Sequence, residues 1–283
     1  MPIFHAIVLG LVQGFSEFLP ISSSGHLLLV PWLFGWEDFT GPNGDSVKKT
    51  FDVALHLGTF VAVLGYFWRD VVMYVREGFL LVFARTRPPT VEGRLAWLFV
   101  LATVPAAAVG ALFENTIDSA LGTPLIIAIS LILFGLLLGW ADRLGGKRDL
   151  DEFKAPDALK VGVAQTLALN PGTSRSGITI TAARWLGFNR DAAARISFLM
   201  SLPVIAGAVV VKSTGLFTGE IDSDLYIPMI VGILTSAASG WIAVWGTLRW
   251  IRTRSFMPFV IYRVGLGIFM LVLIATGVRG GSG

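Results

Sequence analysis

Pro171-Gly172-Thr173-Ser174-Arg175-Ser176-Gly177 interrupts an otherwise apolar chain with three hydroxyls, one arginine, two glycines and a helix-breaking proline. Such a run is poor hydrophobic core. It is well suited to an anion: glycines let the backbone approach a ligand, hydroxyl and N–H groups donate, and a guanidinium grips oxyanions as a fork. An earlier stretch, Pro20-Ile21-Ser22-Ser23-Ser24-Gly25-His26, echoes it. If the surrounding sequence is membrane-embedded, irregular backbone there is tolerated only when buried in protein or lining a wet cavity. The two loops are therefore expected to meet inside the fold.

The surrounding sequence is of that kind. The chain has 283 residues, of which 54% are hydrophobic and only 14% charged, where a soluble domain has about a quarter charged. Apolar runs of spanning length recur throughout, which defines a polytopic membrane protein. The net charge of +3 gives no reason to expect nucleic acid as a partner. Cysteine is absent, which excludes disulfides, thiolate catalysis and cysteine metal sites. Met1 to His5 has neither a basic n-region nor a cleavage site, so no cleaved signal peptide is expected. Residues 278–283 read as a flexible tail.

Taken in order, Met1 to Leu19 and His26 to Trp36 are apolar pieces too short to cross about 30 Å of hydrocarbon. They read as a re-entrant helix–loop–helix around Pro20. Glu37 to Lys49 reads as a polar surface loop. Six spans follow in outline: Phe51 to Trp68, Leu95 to Phe113, Pro124 to Trp140, Ala192 to Val211, Tyr226 to Leu248 and Met257 to Thr276. Between the third and fourth, Ala158 to Leu169 and Ile178 to Phe188 form a second re-entrant pair around Pro171. Basic residues gather at 69–94 (Arg69, Arg76, Arg85, Arg87, Arg94), at 143–160 and at 249–254. The acidic turns are Glu114 with Asp118, and Glu220, Asp222 and Asp224. The positive-inside rule puts the basic loops in the cytoplasm and the acidic turns outside. The first re-entrant pair then enters from outside and the second from the cytoplasm.

An internal repeat gives the same picture. Gly10-Leu-Val-Gln13 matches Gly162-Val-Ala-Gln165, the Pro20 loop matches the Pro171 loop with a one-residue slip, and Leu33-Phe-Gly-Trp36 matches Trp185-Leu-Gly-Phe188. Val104-Pro105 also resembles Met257-Pro258. Each half, about 1–145 and 155–277 of a single membrane domain, holds one re-entrant pair and three spans. Three is odd, so the second half is inverted, and such repeats place their site near the midplane.

Gln13 and Glu17 share one face of the first short helix, and a carboxylate at membrane depth marks a functional site. Ser22, Ser23 and Ser24 lie beside His26, which can take a proton from a serine or attack phosphorus itself; the serines can equally cap the next helix. Arg175 reads as a phosphate clamp rather than a bridge to Glu17, because Gly172, Thr173, Ser174, Ser176 and Gly177 around it suit oxyanions. His56 reads as a packing histidine, Asp52 as a cap or rim residue, and His5 as interfacial. Arg263, in the last span, needs a partner. There is no P-loop and no His-Glu-x-x-His. A divalent cation can bind through Glu17 and the ligand's own phosphates.

With these residues the chain resembles the bacterial undecaprenyl-diphosphate phosphatases of the BacA type. The resemblance rests on Gln13-Gly-Phe-Ser-Glu17-Phe-Leu-Pro-Ile-Ser-Ser-Ser-Gly-His26 and Pro171-Gly-Thr-Ser-Arg-Ser-Gly177, with support from Thr103–Ala106, Phe198–Pro203 and Pro258–Arg263. It implies an enzyme of the bacterial cytoplasmic membrane that hydrolyses a C55 polyprenyl diphosphate during cell-wall synthesis, with Mg²⁺ or Ca²⁺ as cofactor. It implies Glu17, Ser23, His26 and Arg175 as catalytic residues. Ser22, Ser24, Gly172, Thr173, Ser174, Ser176 and Gly177 would surround the diphosphate, and Glu17 and Gln13 the metal. Ser23 is favoured as nucleophile, with His26 as its base. The first signature position, commonly glutamate in the family, is Gln13 here, which concentrates the carboxylate role on Glu17. The phosphatidic-acid phosphatases also contain Ser-Gly-His, but their second motif needs a histidine after Ser-Arg, and none follows Arg175. Inverted repeats also build transporters, so a secondary transporter or lipid flippase is the alternative. The expected partners are the lipid substrate and membrane lipids; a homodimer is compatible with the sequence. The site is expected to open outward.

Overall fold

A computed structural model of the protein describes residues 1–40, 43–84, 88–212 and 223–281. Its first half contains α1 (Ile3–Phe18), α2 (Ser23–Phe34), α3 (Gly44–Tyr66), α4 (Trp68–Phe83), α5 (Val91–Leu121) and α6 (Pro124–Arg143). Its second half contains α7 (Ala155–Thr166), α8 (Arg175–Trp185), α9 (Arg190–Lys212), α10 (Tyr226–Ile251) and α11 (Met257–Ala275). The chain is thus an all-helical polytopic membrane protein. Five helices are long and apolar enough to cross a bilayer: Val91–Phe113, Pro124–Arg143, Arg190–Ala208, Tyr226–Ile251 and Met257–Ala275. A sixth crossing arises only if α3 and α4 count as one pair, and they are bent by 83°.

Local signals place the boundaries. α1 stops before Pro20, which biases Leu19 to extended backbone (φ −64°, ψ 139°). α2 ends at Gly35, whose φ of +67° is the left-handed stop that glycine accepts without strain. α6 has Thr123 as N-cap, its side chain accepting from Ile126 N, with Pro124 in the first turn.

Three expectations change here. The stretch from Glu37 to Lys49 is not wholly loop, because α3 begins at Gly44. The expected first span falls in this α3, whose early turns carry Asp45, Lys48, Lys49 and Asp52 and which is not among the five helices that qualify alone. The basic stretch after Trp68 is not a loop but α4, a helix with one face on α5. Arg85, Arg87, Glu220 and Asp222 lie outside the described residues, as do the side chains of Glu114 and Asp118. Of the expected tail, Arg279 donates to Leu33 O (2.7 Å) and Gly280 O accepts from Trp32 Nε1 (3.1 Å), so both touch α2.

The packing crosses between halves. α1 lies along α10, α3 also packs on α10, α7 lies against α5, and α6 against α11. Small residues make these approaches close. A Cβ on Gly14 would stand 2.5 Å from Ser236 O, and one on Gly162 would stand 2.5 Å from Ala102 O. In lipid, where no hydrophobic force drives helix pairing, such close backbone contact is what holds helices together. The Pro105–Pro258 resemblance does not follow this packing: Pro105 lies inside α5, while Pro258 lies in the first turn of α11.

Candidate active site

The two loops adopt the same unusual turn. Ser22 (φ +82°) and Ser174 (φ +73°) are the non-glycine residues with positive φ among the described residues. Both are N-caps: Ser22 Oγ accepts from Gly25 N at 3.3 Å, and Ser174 Oγ from Gly177 N at 3.0 Å. L-residues adopt this backbone only when their surroundings over-determine it, and such positions cluster at functional sites. The caps fix where α2 and α8 begin, and a helix start directs unpaired N–H groups and positive dipole outward.

The loops touch each other. Gly172 N donates to Ser22 Oγ (3.1 Å), and Ser176 Oγ donates to Leu19 O (3.0 Å). Arg263, fully buried on α11, clasps both. It donates to Pro20 O (3.1 Å) in the first loop and to Gly172 O (3.0 Å) and Thr173 O (2.9 Å) in the second. It also reaches Leu131 O (3.3 Å) on α6. Its partners are main-chain carbonyls, not a carboxylate.

Glu17, at the end of α1, is where the two helix starts converge. Ser23, the first residue of α2, donates from Oγ to Glu17 Oε2 at 2.6 Å. Arg175, the first residue of α8, donates from Nη2 to Glu17 Oε1 at 2.9 Å and from Nη1 to Ser197 O at 3.0 Å. Gln13 Nε2 lies 3.3 Å from Glu17 Oε2, and His56 Nε2 lies 3.7 Å from the same oxygen. Among the described residues Gln13 Oε1 is buried without a hydrogen-bond partner. Glu17 is only 5% exposed, so the carboxylate depends on these donors instead of water.

Several expected contacts differ. His26 forms no hydrogen bond to Ser23. Its Nδ1 lies 2.6 Å from Ser22 O, a pure acceptor, so Nδ1 carries the proton; Nε2 faces Tyr262 OH at 2.7 Å. The group hydrogen-bonded to Ser23 is Glu17. In this state Arg175 makes the carboxylate bridge that the sequence reading ranked below the clamp. Ser22 and Ser174 serve as caps, Thr173 Oγ1 accepts from Asn170 Nδ2 (3.2 Å) and Ser176 binds Leu19 O, so these hydroxyls hold the loops together. Gly172 fits closely, since a Cβ there would stand 2.8 Å from Ile127 O. A Cβ on Gly177 would stand 2.7 Å from Arg263 Nη1. Ser24 is exposed, and its side chain forms no hydrogen bond among the described residues.

Four neighbours were not predicted as part of the site. His56 belongs beside Glu17, and its place at membrane depth was the available signal. Arg263 carried the same signal, though not its partners. Tyr262 and Ser197 carried none. The Asp52 carboxylate bonds Lys48 (2.8 Å) while its carbonyl meets His56 Nδ1 (2.7 Å), and His5 bonds Asp38 (2.7 Å).

Spanning helices around a buried serine–carboxylate–arginine cluster define a multi-pass membrane protein with an interior polar site. The chain belongs to the BacA family: the family model described as "Bacitracin resistance protein BacA" matches residues 6–269. It is 45% identical over 274 residues to an undecaprenyl-diphosphatase of Moorella thermoacetica, covering 96% of this chain and 98% of that protein. It is 46% identical over 279 residues to one of Trichlorobacter lovleyi, covering 98% and 99%. An undecaprenyl-diphosphatase of Pelobacter propionicus is 47% identical over 282 residues, covering 99% and 100%. The transporter or flippase reading gains no support from these relatives.

Proposed function

We propose that the chain hydrolyses undecaprenyl diphosphate to undecaprenyl phosphate and inorganic phosphate, as the name of its relatives describes. The observation that carries the mechanism is the shared contact of Ser23 and Arg175 with Glu17. A terminal phosphate entering between the starts of α2 and α8 meets first-turn amides from both helices. It also competes with Glu17 for Arg175, whose planar fork matches phosphate oxygens. Ser23 Oγ then attacks the terminal phosphorus while its proton passes to Glu17. The bond from that phosphorus to the bridging oxygen breaks, and undecaprenyl phosphate leaves. Water cleaves the serine–phosphate bond, releasing inorganic phosphate and restoring Ser23. Arg175 offsets charge on the equatorial oxygens in both steps. His26 orients the loop through Ser22 O and is not the base for Ser23.

A divalent cation fits this cluster. Among the described residues no group of three His, Asp or Glu side chains could hold one, so the diphosphate must supply ligands. Glu17 and the unpartnered Gln13 Oε1 are the residues that would hold it. Bound there, it would neutralise charge on the diphosphate.

The architecture belongs to the same proposal: two re-entrant pairs, α1–α2 and α7–α8, in an inverted repeat within the cytoplasmic membrane, with the site opening outward. The paired Ser22 and Ser174 caps, 152 residues apart like Gly10 and Gly162, support it. The test is phosphate release from undecaprenyl diphosphate by purified chain, with and without chelator. Wild type should turn over and Ser23→Ala should not. Full activity in Ser23→Ala would move the nucleophile to water or His26. Activity unchanged by chelator would remove the cation.

A further inference from the structure

We propose that α4 lies in the plane of the membrane and that its outer face docks anionic phospholipid, its arginines on headgroup phosphates and its apolar side chains among the acyl chains. The inference goes beyond the hydrolase reading and rests on α3 crossing the bilayer.

α4 leaves α3 at 83° after a one-residue elbow at Phe67. A helix at that angle to a spanning helix runs along the bilayer. Its inner face is committed to protein: Gly78 lets α5 approach, Trp97 Nε1 donates to Gly78 O (2.9 Å), and the Tyr74 ring meets Phe99. Its outer face exposes Trp68, Val72, Val75, Phe79, Val82 and Phe83. Trp68, Val72, Val75, Phe79 and Val82 recur every three or four positions, and Phe83 lies four after Phe79, so they form one stripe. Arg69 and Arg76 are exposed along one edge of the stripe, and neither forms an ion pair among the described residues.

An apolar stripe alone would fit any lipid-facing helix. The two arginines decide the depth. Along a spanning helix, unpaired arginines seven residues apart could not both reach an interface without cost. Along an in-plane helix both sit at headgroup level while the rings enter the acyl boundary. Each such cation is attracted to an anionic leaflet. This charge pattern selects anionic phosphate headgroups over zwitterionic ones.

The cysteine-free chain permits a direct test. Single variants Val72→Cys, Val75→Cys, Phe79→Cys and Phe83→Cys are spin-labelled in nanodiscs and their depths measured. The expected result is a flat profile near the acyl–headgroup boundary. A depth change on the order of 16 Å from 72 to 83, the rise of a spanning helix, would overturn the proposal. The same scan at Leu57, Val61 and Leu64 on α3 should show a gradient. A flat profile there would overturn the spanning α3, and the proposal with it, while leaving hydrolysis to its own assay. For lipid choice, a bimane at Phe79→Cys is quenched by brominated phosphatidylglycerol or brominated phosphatidylcholine. Quenching should favour phosphatidylglycerol at least twofold and fall to parity in Arg69→Gln/Arg76→Gln. Parity in the otherwise unaltered chain would overturn the headgroup assignment. Loss of quenching by both lipids would indicate a protein partner on this face instead.

Discussion

Glu17 concentrates the chemistry of the site because it is the acceptor for Ser23 and Arg175 together. Replacing it with the isosteric amide keeps the volume but removes the proposed base. Glu17→Gln is expected to lower phosphate release by about 10²–10⁴-fold, the usual contribution of a positioned general base. Steady-state kinetics would check it, and a loss confined to KM would assign Glu17 to binding alone. Arg263 has the opposite character: it touches five carbonyls and no reacting group. Arg263→Met leaves the loop carbonyls of Pro20, Gly172 and Thr173 buried without that donor, at about 1–3 kcal/mol each if nothing relaxes, while the α6 carbonyls keep their intrahelical bonds. A lowered melting temperature in detergent, together with lost activity, is the expected outcome; lost activity at unchanged stability would contradict a purely bracing role. At this scale the sequence was legible in residue type but not in partner. A carboxylate and an arginine at membrane depth announce themselves by their cost. That Ser22 and Ser174 cap helices, or that His26 turns to Tyr262, depends on backbone geometry that no spacing reveals.

At the scale of elements, the paired turns do the positioning. Ser174→Gly keeps the left-handed backbone accessible but removes the capping oxygen, whereas Ser174→Ala loses the cap and keeps the strain. Ser174→Ala is therefore expected to be the more destabilised of the two, with the cap worth about 0.5–2 kcal/mol. Comparative thermal unfolding checks the order, and equal stability would mean that the turn is not strained. The surface end of α7 offers a pH test. Burial alone would raise the Asp157 carboxyl, but hydrogen bonds from Arg148 and Lys154 N and the nearby positive charge more than offset this and hold it below its ordinary range. A lowered folded pKa stabilises fully above the ordinary value of about 4 and is lost as pH falls through the lowered one. The stability gap between wild type and Arg148→Gln should thus be constant near neutrality and narrow below about pH 4, leaving the part set by the Arg148 bonds to Leu186 O and Glu152 O. The short pieces around Pro20 and Pro171 could be read from proline and hydroxyl content. α4 could not, because alternating arginines and apolar residues look like a charged loop until the 3.6-residue period is set against a neighbour such as α5.

At the scale of the whole molecule, each half completes the other. α1 is seated on α10, α7 on α5, and Arg263 from the last helix ties both loops. The membrane class followed from composition, and the pairing of the loops from their likeness. The crossing pattern of the helices did not, since Gly14 against Ser236 O and Gly162 against Ala102 O are contacts between distant segments. The proposed hydrolysis requires Glu17 and Arg175, from opposite halves, to act as one site. A double-mutant cycle on phosphate release from undecaprenyl diphosphate tests it most directly, using Glu17→Gln, Arg175→Ala and the double variant. Groups that act as a unit are strongly non-additive. Each single change is expected to cost about 100-fold or more, and the double variant to be no slower than the worse single. Losses that multiply, or a single variant with full activity, would contradict it.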